Sequence, residues 1–227
     1  MKLISDSFAV FILAYATLFP VINPLGGAPI FLNLVDGCSP AVRTKLARSI
    51  SINSFAMLMG AMIIGPRLLL FFGISLPVLQ VAGGLVVAVM GWNLLNQGTK
   101  SSDGCGNSSS INDSNTMSSA FYPLTLPLTV GPGSIATVIA LVANYKKTPN
   151  FEFENELAGI IGGTLGVIAI SLTIYIAYRE ASGIKRILGE NGTNVLMRLF
   201  AFILFAIGIQ IIWGGVHGLI LEVMPAQ

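Results

Sequence analysis

Residues 23–29 read Asn23-Pro24-Leu25-Gly26-Gly27-Ala28-Pro29, and this run decides how the rest of the chain is read. It stands inside a stretch of 29 residues, between Asp6 and Asp36, that carries no charge. A stretch that long and apolar predicts a membrane-spanning helix, which needs about 20 residues to cross the hydrocarbon core. Yet Pro24 and Pro29 each lack the amide that a helix uses and crowd the preceding turn. Gly26 and Gly27 add backbone freedom that a helix must give up. In lipid, each backbone group left without a partner costs several kcal/mol, so a break of this kind survives only where protein or a wet cavity surrounds it. A second break, Gly131-Pro132-Gly133-Ser134, interrupts another apolar run about a hundred residues later.

Working outward, composition sets the class. Of 227 residues, 54% are hydrophobic and 10% charged, with a mean hydropathy of +0.80. Soluble domains carry about 25% charged residues, so the chain reads as an integral membrane protein with the lipid bilayer as its surroundings. A net charge of +2 gives no basis for nucleic-acid binding. One histidine and two cysteines, Cys38 and Cys105, make no CxxC pair and supply no zinc or iron–sulfur ligand set.

Further charge-free windows cover 49–66, 68–99, 114–145, 157–178 and 199–221. They predict an all-α membrane protein of six transmembrane helices near 8–35, 46–70, 76–97, 119–143, 156–178 and 194–220. Gly73 and Pro77 mark the turn between the second and third. Residues 98–118, rich in Gly, Ser, Asn and Asp, read as a polar linker between a first three-helix repeat (1–97) and a second (119–227). Lys2, Arg67, Lys146 and Lys147 would lie on one side of the membrane. Arg43, Lys45, Arg48, Lys100, Arg179, Lys185 and Arg186 would lie on the other, which makes the linker cytoplasmic and puts both termini outside.

The halves read as diverged copies. Each breaks its first span near the middle, leaves its second uninterrupted, and carries a late glycine and amide in its third. Gly91 and Asn93 match Gly208 and Gln210 at an offset of 117, as Val78 and Leu79 match Val195 and Leu196. Three spans per half force the second copy to insert upside down, so the expected architecture is two inverted repeats with helices 1 and 4 discontinuous.

The breaks are the candidate substrate site. Where a helix restarts, free N–H groups and the positive dipole end suit a carboxylate, and the carbonyls released by the same break suit an ammonium group or a small cation. Two such ends facing each other would hold a small zwitterion without a charged side chain. Asn23, Thr129, Ser134 and Thr137 add neutral hydrogen bonds, and Gly26, Gly27, Gly131 and Gly133 leave room. Gln80, Asn93 and Gln210 are candidates for the path or for bonds between helices. Gly159 with Gly163, Gly162 with Gly166, and Gly214 with Gly218 read as small-residue packing faces, within one chain or between copies in a homo-oligomer. No acidic residue lies mid-span, so no carboxylate proton relay is expected. Coupling to Na+ or H+ stays open, and no other cofactor is expected. An intramembrane enzyme would need a nucleophile–base or metal set that His217, without a mid-span Asp or Glu, does not supply.

Three of these motifs also carry a family resemblance. FPVINPLG over 19–26 resembles the first-span signature of the MarC family of bacterial and archaeal inner-membrane proteins; FGISLPVLQVAGG over 72–84 looks like the start of that family's third span; PLTVGPGS over 127–134 is similar to its fourth-span motif. The resemblance covers nearly the whole chain, the linker least. It implies six spans in two inverted repeats with unwound first and fourth helices, and a family that includes transporters of small neutral amino acids, glycine and alanine in particular. The matched motif residues are Asn23, Pro24, Gly26, Gly131, Pro132 and Gly133, with Thr129 and Ser134 flanking. The expected function is a secondary transporter of a small zwitterion working by alternating access. An exporter of drugs or other metabolites on the same fold, or a non-transporting scaffold, is the alternative.

Overall fold

The computed structural model describes residues 2–35, 37–96, 120–146 and 153–223, and among them there is helix and no strand. The linker 98–118 lies outside the described residues. The helices are α1 (Lys2–Ile22), α2 (Pro24–Leu34), α3 (Pro40–Phe72), α4 (Leu76–Asn96), α5 (Pro132–Lys146), α6 (Phe153–Arg179) and α7 (Ala181–Val223), with an irregular coil over Ala120–Thr129 leading into α5. Among the described residues, five stretches are long and apolar enough to cross a membrane: Leu3–Leu34, Pro40–Phe72, Leu76–Asn96, Leu157–Arg179 and Asn191–Val223. Where the sequence predicts a fourth span, the structure has the irregular coil and the 15-residue α5, whose apolar part is too short to count among the five.

Local chemistry explains the boundaries. Ser39 caps α3 through its hydroxyl, which accepts from the Val42 N–H, and Pro40 occupies the first helical position. With 33 residues α3 is about 50 Å long, so it outreaches the ~30 Å hydrocarbon core and carries exposed Lys45 and Arg48 near its start. Gly73, at φ 66°, ends it: its own N–H and that of Ile74 bond back to Leu70 and Leu69 carbonyls, closing the last turn. The predicted turn between the second and third spans is therefore in place. In α7 a further break at Gly189 (φ 64°, ψ −179°) separates a short leading segment from the long apolar helix.

Close approaches set the packing. Gly162 lies against Ser7, Val10 and Phe11 and Gly166 against Ala14, and Tyr15 Oη is 3.2 Å from Thr173 Oγ1, so α1 and α6 run side by side in the same direction. Ser51 Oγ donates to the Ser171 carbonyl (2.6 Å) while Met62 meets Gly163, which makes α3 antiparallel to α6. Gly83 meets Ala136 and Gly133 meets Val87, so α4 is antiparallel to α5. The longest contact joins α4 and α7. Gly84 faces Ile212 and Gly91 faces Phe205, while Gly208 faces Ala88 and Gly215 faces Pro77 and Val81. The glycines of each helix stand seven apart and each meets backbone atoms of the other helix, an approach that only so small a residue allows. Gly91 and Gly208, matched at the offset of 117, both sit in this contact. Within the chain Gly214 takes no part in packing: it is exposed, with open space where a side chain would go, and Gly215 and Gly218 make the contact with α4.

Apolar side chains also cover the outside: Leu70, Phe71, Phe202 and Trp213 are all exposed, as a lipid-facing surface requires.

Candidate functional site

At the first break the backbone turns on a single residue. Asn23 adopts φ 50°, ψ 60°, left-handed and the one such non-glycine residue among those described. Asparagine tolerates this because its short amide finds a local partner. Here the Gly26 N–H donates to Asn23 Oδ1 at 3.0 Å, which caps α2, and Pro24 fills the first helical position. Ordinary helical bonding is interrupted here. Pro24 has no amide for the Pro20 carbonyl, and the Gly26 amide that would serve Ile22 is turned to the Asn23 side chain. Gly26 has no room for a side chain, since the Asn23 amide already lies there. Asn23→Ala is therefore expected to lower stability by about 1–3 kcal/mol, from the lost cap and the left-handed strain together; Asn23→Gly should lose less, because only the cap goes. Thermal unfolding in detergent gives the order, and equal losses would contradict it.

The second break is wider than the stretch read from the sequence. Tyr122 (φ −127°, ψ 125°) and Leu126 (φ −110°, ψ 123°) are extended inside the coil before α5. Each precedes a proline, Pro123 and Pro127, whose ring disfavours the helical region for the residue before it. Threonine hydroxyls mend part of the damage: Thr125 Oγ1 donates to the Ala120 carbonyl (2.6 Å) and Thr129 Oγ1 to that of Leu124 (2.8 Å). α5 then restarts at Pro132, so Gly133 and Ser134 belong to its first turn, and the Ser134 N–H returns to the Gly131 carbonyl at 3.0 Å. Thr129, Gly133 and Ser134 are buried, Gly131 half-buried and Pro132 exposed.

One side chain that the sequence reading did not single out joins the two breaks. Tyr178, near the end of α6, is 2% exposed, and its ring stacks on Phe31 of α2 with centroids 4.8 Å apart. Its hydroxyl lies 2.9 Å from Thr129 Oγ1. Thr129 has one proton, spent on Leu124, so Tyr178 is the donor. The same hydroxyl fills the place of a side chain at Gly27: a methyl there would fall 2.7 Å from Tyr178 Oη. Gly27 and Thr129 thus lie on either side of one buried phenol. Nothing in the local pattern marks Tyr178, which ends a charge-free window beside Arg179 where aromatics commonly anchor a span.

A cavity of about 30 Å³ opens next to the first break. It is lined there by Ile22, Asn23, Gly26 and Gly27, across from them by Met90 and Leu94 of α4, and by Met197 and Leu204 of α7. That is room for a water or two. No residue of the second break lines it, so the two breaks meet through Tyr178 rather than across this cavity. Among other polar candidates, Thr137 Oγ1 donates to the Gly133 carbonyl (2.8 Å), Gln80 is half-buried, and Asn93 and Gln210 are exposed.

Comparison with known proteins agrees with these motifs. The family model described as MarC family integral membrane protein matches residues 8–220. Proteins named inner membrane protein MarC are similar along their length: that of Citrobacter koseri is 31% identical, and those of Escherichia coli and Salmonella typhimurium are each 30% identical. In all three the match covers 93% of this chain and 96% of the relative. No solved structure matches the chain.

Proposed function

The chain belongs to the MarC family of integral membrane proteins, and from that membership we propose that it is a secondary transporter of a small neutral amino acid, glycine- or alanine-like, or of a similar small zwitterion. The observation that carries the reading is the meeting of two uncharged helix breaks at one buried hydroxyl, with the cavity beside the first. Helix restarts at Pro24 and Pro132 would offer a carboxylate their positive dipole ends, although the Gly26 and Ser134 amides are already bonded within the chain, and carbonyls without a helical amide at Pro20 and Ile22 would offer acceptors to an ammonium group. Asn23, Pro24, Gly26 and Gly27 form the first half of the site; Thr129, Gly131, Pro132, Gly133 and Ser134 form the second; Tyr178 links them.

Alternating access follows from an inverted repeat. The neighbour relations support one: α4 with α7 and α3 with α6 pair equivalent spans, and the contact of α1 with α6 has its counterpart in that of α3 with α5. Every direction found between packed helices also fits six alternating spans with discontinuous first and fourth members. The relatives' names support a place in the cytoplasmic membrane, and the distribution of Lys and Arg supports termini outside. Sodium or a proton is the coupling ion to test, and small-residue helix faces are where copies would associate.

The test is movement of labelled glycine and alanine into proteoliposomes holding the folded protein. Flux above empty liposomes, reduced by Gly133→Leu, is expected. No flux of any small neutral amino acid in either direction would refute the reading.

A further inference from the structure

Besides the main core there is a second buried cluster, made of Val21, Val87 and Leu204, all under 10% exposed. Met90, Leu94, Ile207 and Ile211 pack around it. Six of these residues form three pairs at the offset of 117 that relates the two halves: Val87 with Leu204, Met90 with Ile207, and Leu94 with Ile211. The cluster is thus built from equivalent positions of both repeats. Its surroundings differ on the two sides. Met90, Leu94 and Leu204 face the cavity at the first break, whereas Ile207 and Ile211 are half-buried against the cluster and are not among the cavity's lining residues. Val87, for its part, reaches the second break, where its side chain occupies the space at Gly133.

We propose that Val87 and Leu204 are a gate, and that a second vestibule, closed in this structure and able to take the same small zwitterion, lies beyond it against the second break. Exchanging each residue of the open cavity for its equivalent in the other half gives the lining. Met90 and Leu94 become Ile207 and Ile211, Met197 becomes Gln80, and Leu204 becomes Val87. Aligning the helix restarts at Pro24 and Pro132 turns Asn23 and Gly26 into Gly131 and Ser134. Half-buried Gln80 then stands as a polar wall residue. The open cavity lies toward the ends of α2 and α4, and the second lies toward the opposite membrane face, where α5 and α7 end. Two apolar side chains suffice as a barrier, because a zwitterion cannot cross them without losing its hydration.

The inference rests on the transport reading for its ligand, but its test does not need amino acid flux. Single cysteines are placed at Leu94 or Ile211 in a chain whose Cys38 and Cys105 are replaced by alanine. Sealed vesicles of each orientation are then exposed to a membrane-impermeant maleimide. Leu94→Cys is expected to react from one face and Ile211→Cys from the other. Adding Val87→Ala and Leu204→Ala should raise the reaction of each from its unfavoured face several-fold. If that pair does not fold, Leu204→Ala alone carries the same expectation. Reaction of both cysteines from one face, silence of Ile211→Cys at both faces, or no effect of opening the gate in a folded variant would overturn the proposal. Loss of glycine flux with opposite-sided labelling intact would instead refute only the choice of substrate.

Discussion

Gly208→Leu is expected to leave little folded protein, whereas Gly214→Leu, six residues along the same helix, should fold as the parent does. A side chain at Gly208 would be driven into the backbone nitrogen and Cα of Ala88, not into a movable side-chain end. Relief requires α4 and α7 to separate, and Gly84, Gly91 and Gly215 lie in the same contact, so the loss would spread along both helices. Overpacking of a closed core costs about 1–3 kcal/mol, occasionally more, and backbone against backbone belongs at the upper end. Gly214 meets nothing within 4 Å, and leucine there adds only a lipid-facing side chain with better helix propensity. Size-exclusion profiles and thermal unfolding in detergent separate the two. Equal behaviour of the pair would mean that the α4–α7 contact is not as close as described.

The second large effect is a rescue. Gly27→Ala alone should destabilise, because its methyl falls 2.7 Å from Tyr178 Oη and that ring cannot yield: it is stacked on Phe31 and tied to Thr129. Tyr178→Phe alone should cost about 1 kcal/mol, since Thr129 keeps its bond to Leu124 and no donor is orphaned. With the hydroxyl gone, the nearest ring carbons stand 3.4 Å from the new methyl, an ordinary contact. The double variant should therefore be more stable than Gly27→Ala alone, with a coupling on the order of 1 kcal/mol or more. Simple additivity would show that the phenol is not what Gly27 accommodates.

How much of this was legible beforehand differs by feature, for physical reasons. Charge-free windows placed α3, α4 and α6 well because lipid forbids charge along the whole length of a span, a global constraint written residue by residue. The break at Asn23 was equally plain, since Pro24 and the glycines act within a single turn. The extent of the second break is local too: Tyr122-Pro123 and Leu126-Pro127 are both pre-proline pairs, each of which turns the residue before the proline out of the helical region. In α7 the four-residue spacing of Gly214 and Gly218 matches a packing motif, but the seven-residue spacing of Gly208 and Gly215 is the one that the long antiparallel contact with α4 uses. Tyr178 was out of reach. Its role depends on α2 and the second break arriving at the same place, and no local pattern encodes that meeting.

The lining of the cavity at Asn23 has a consequence for energetics across a polarised membrane. None of its described lining residues is ionisable, and the zwitterion proposed above carries no net charge, so with that substrate a loaded and an empty site would sense the transmembrane voltage alike. A field does about 2.3 kcal/mol of work on each elementary charge carried through about 100 mV, and here it would find nothing to act on. Any electrogenic signal from this protein would then count its companion ions directly, one elementary charge at a time.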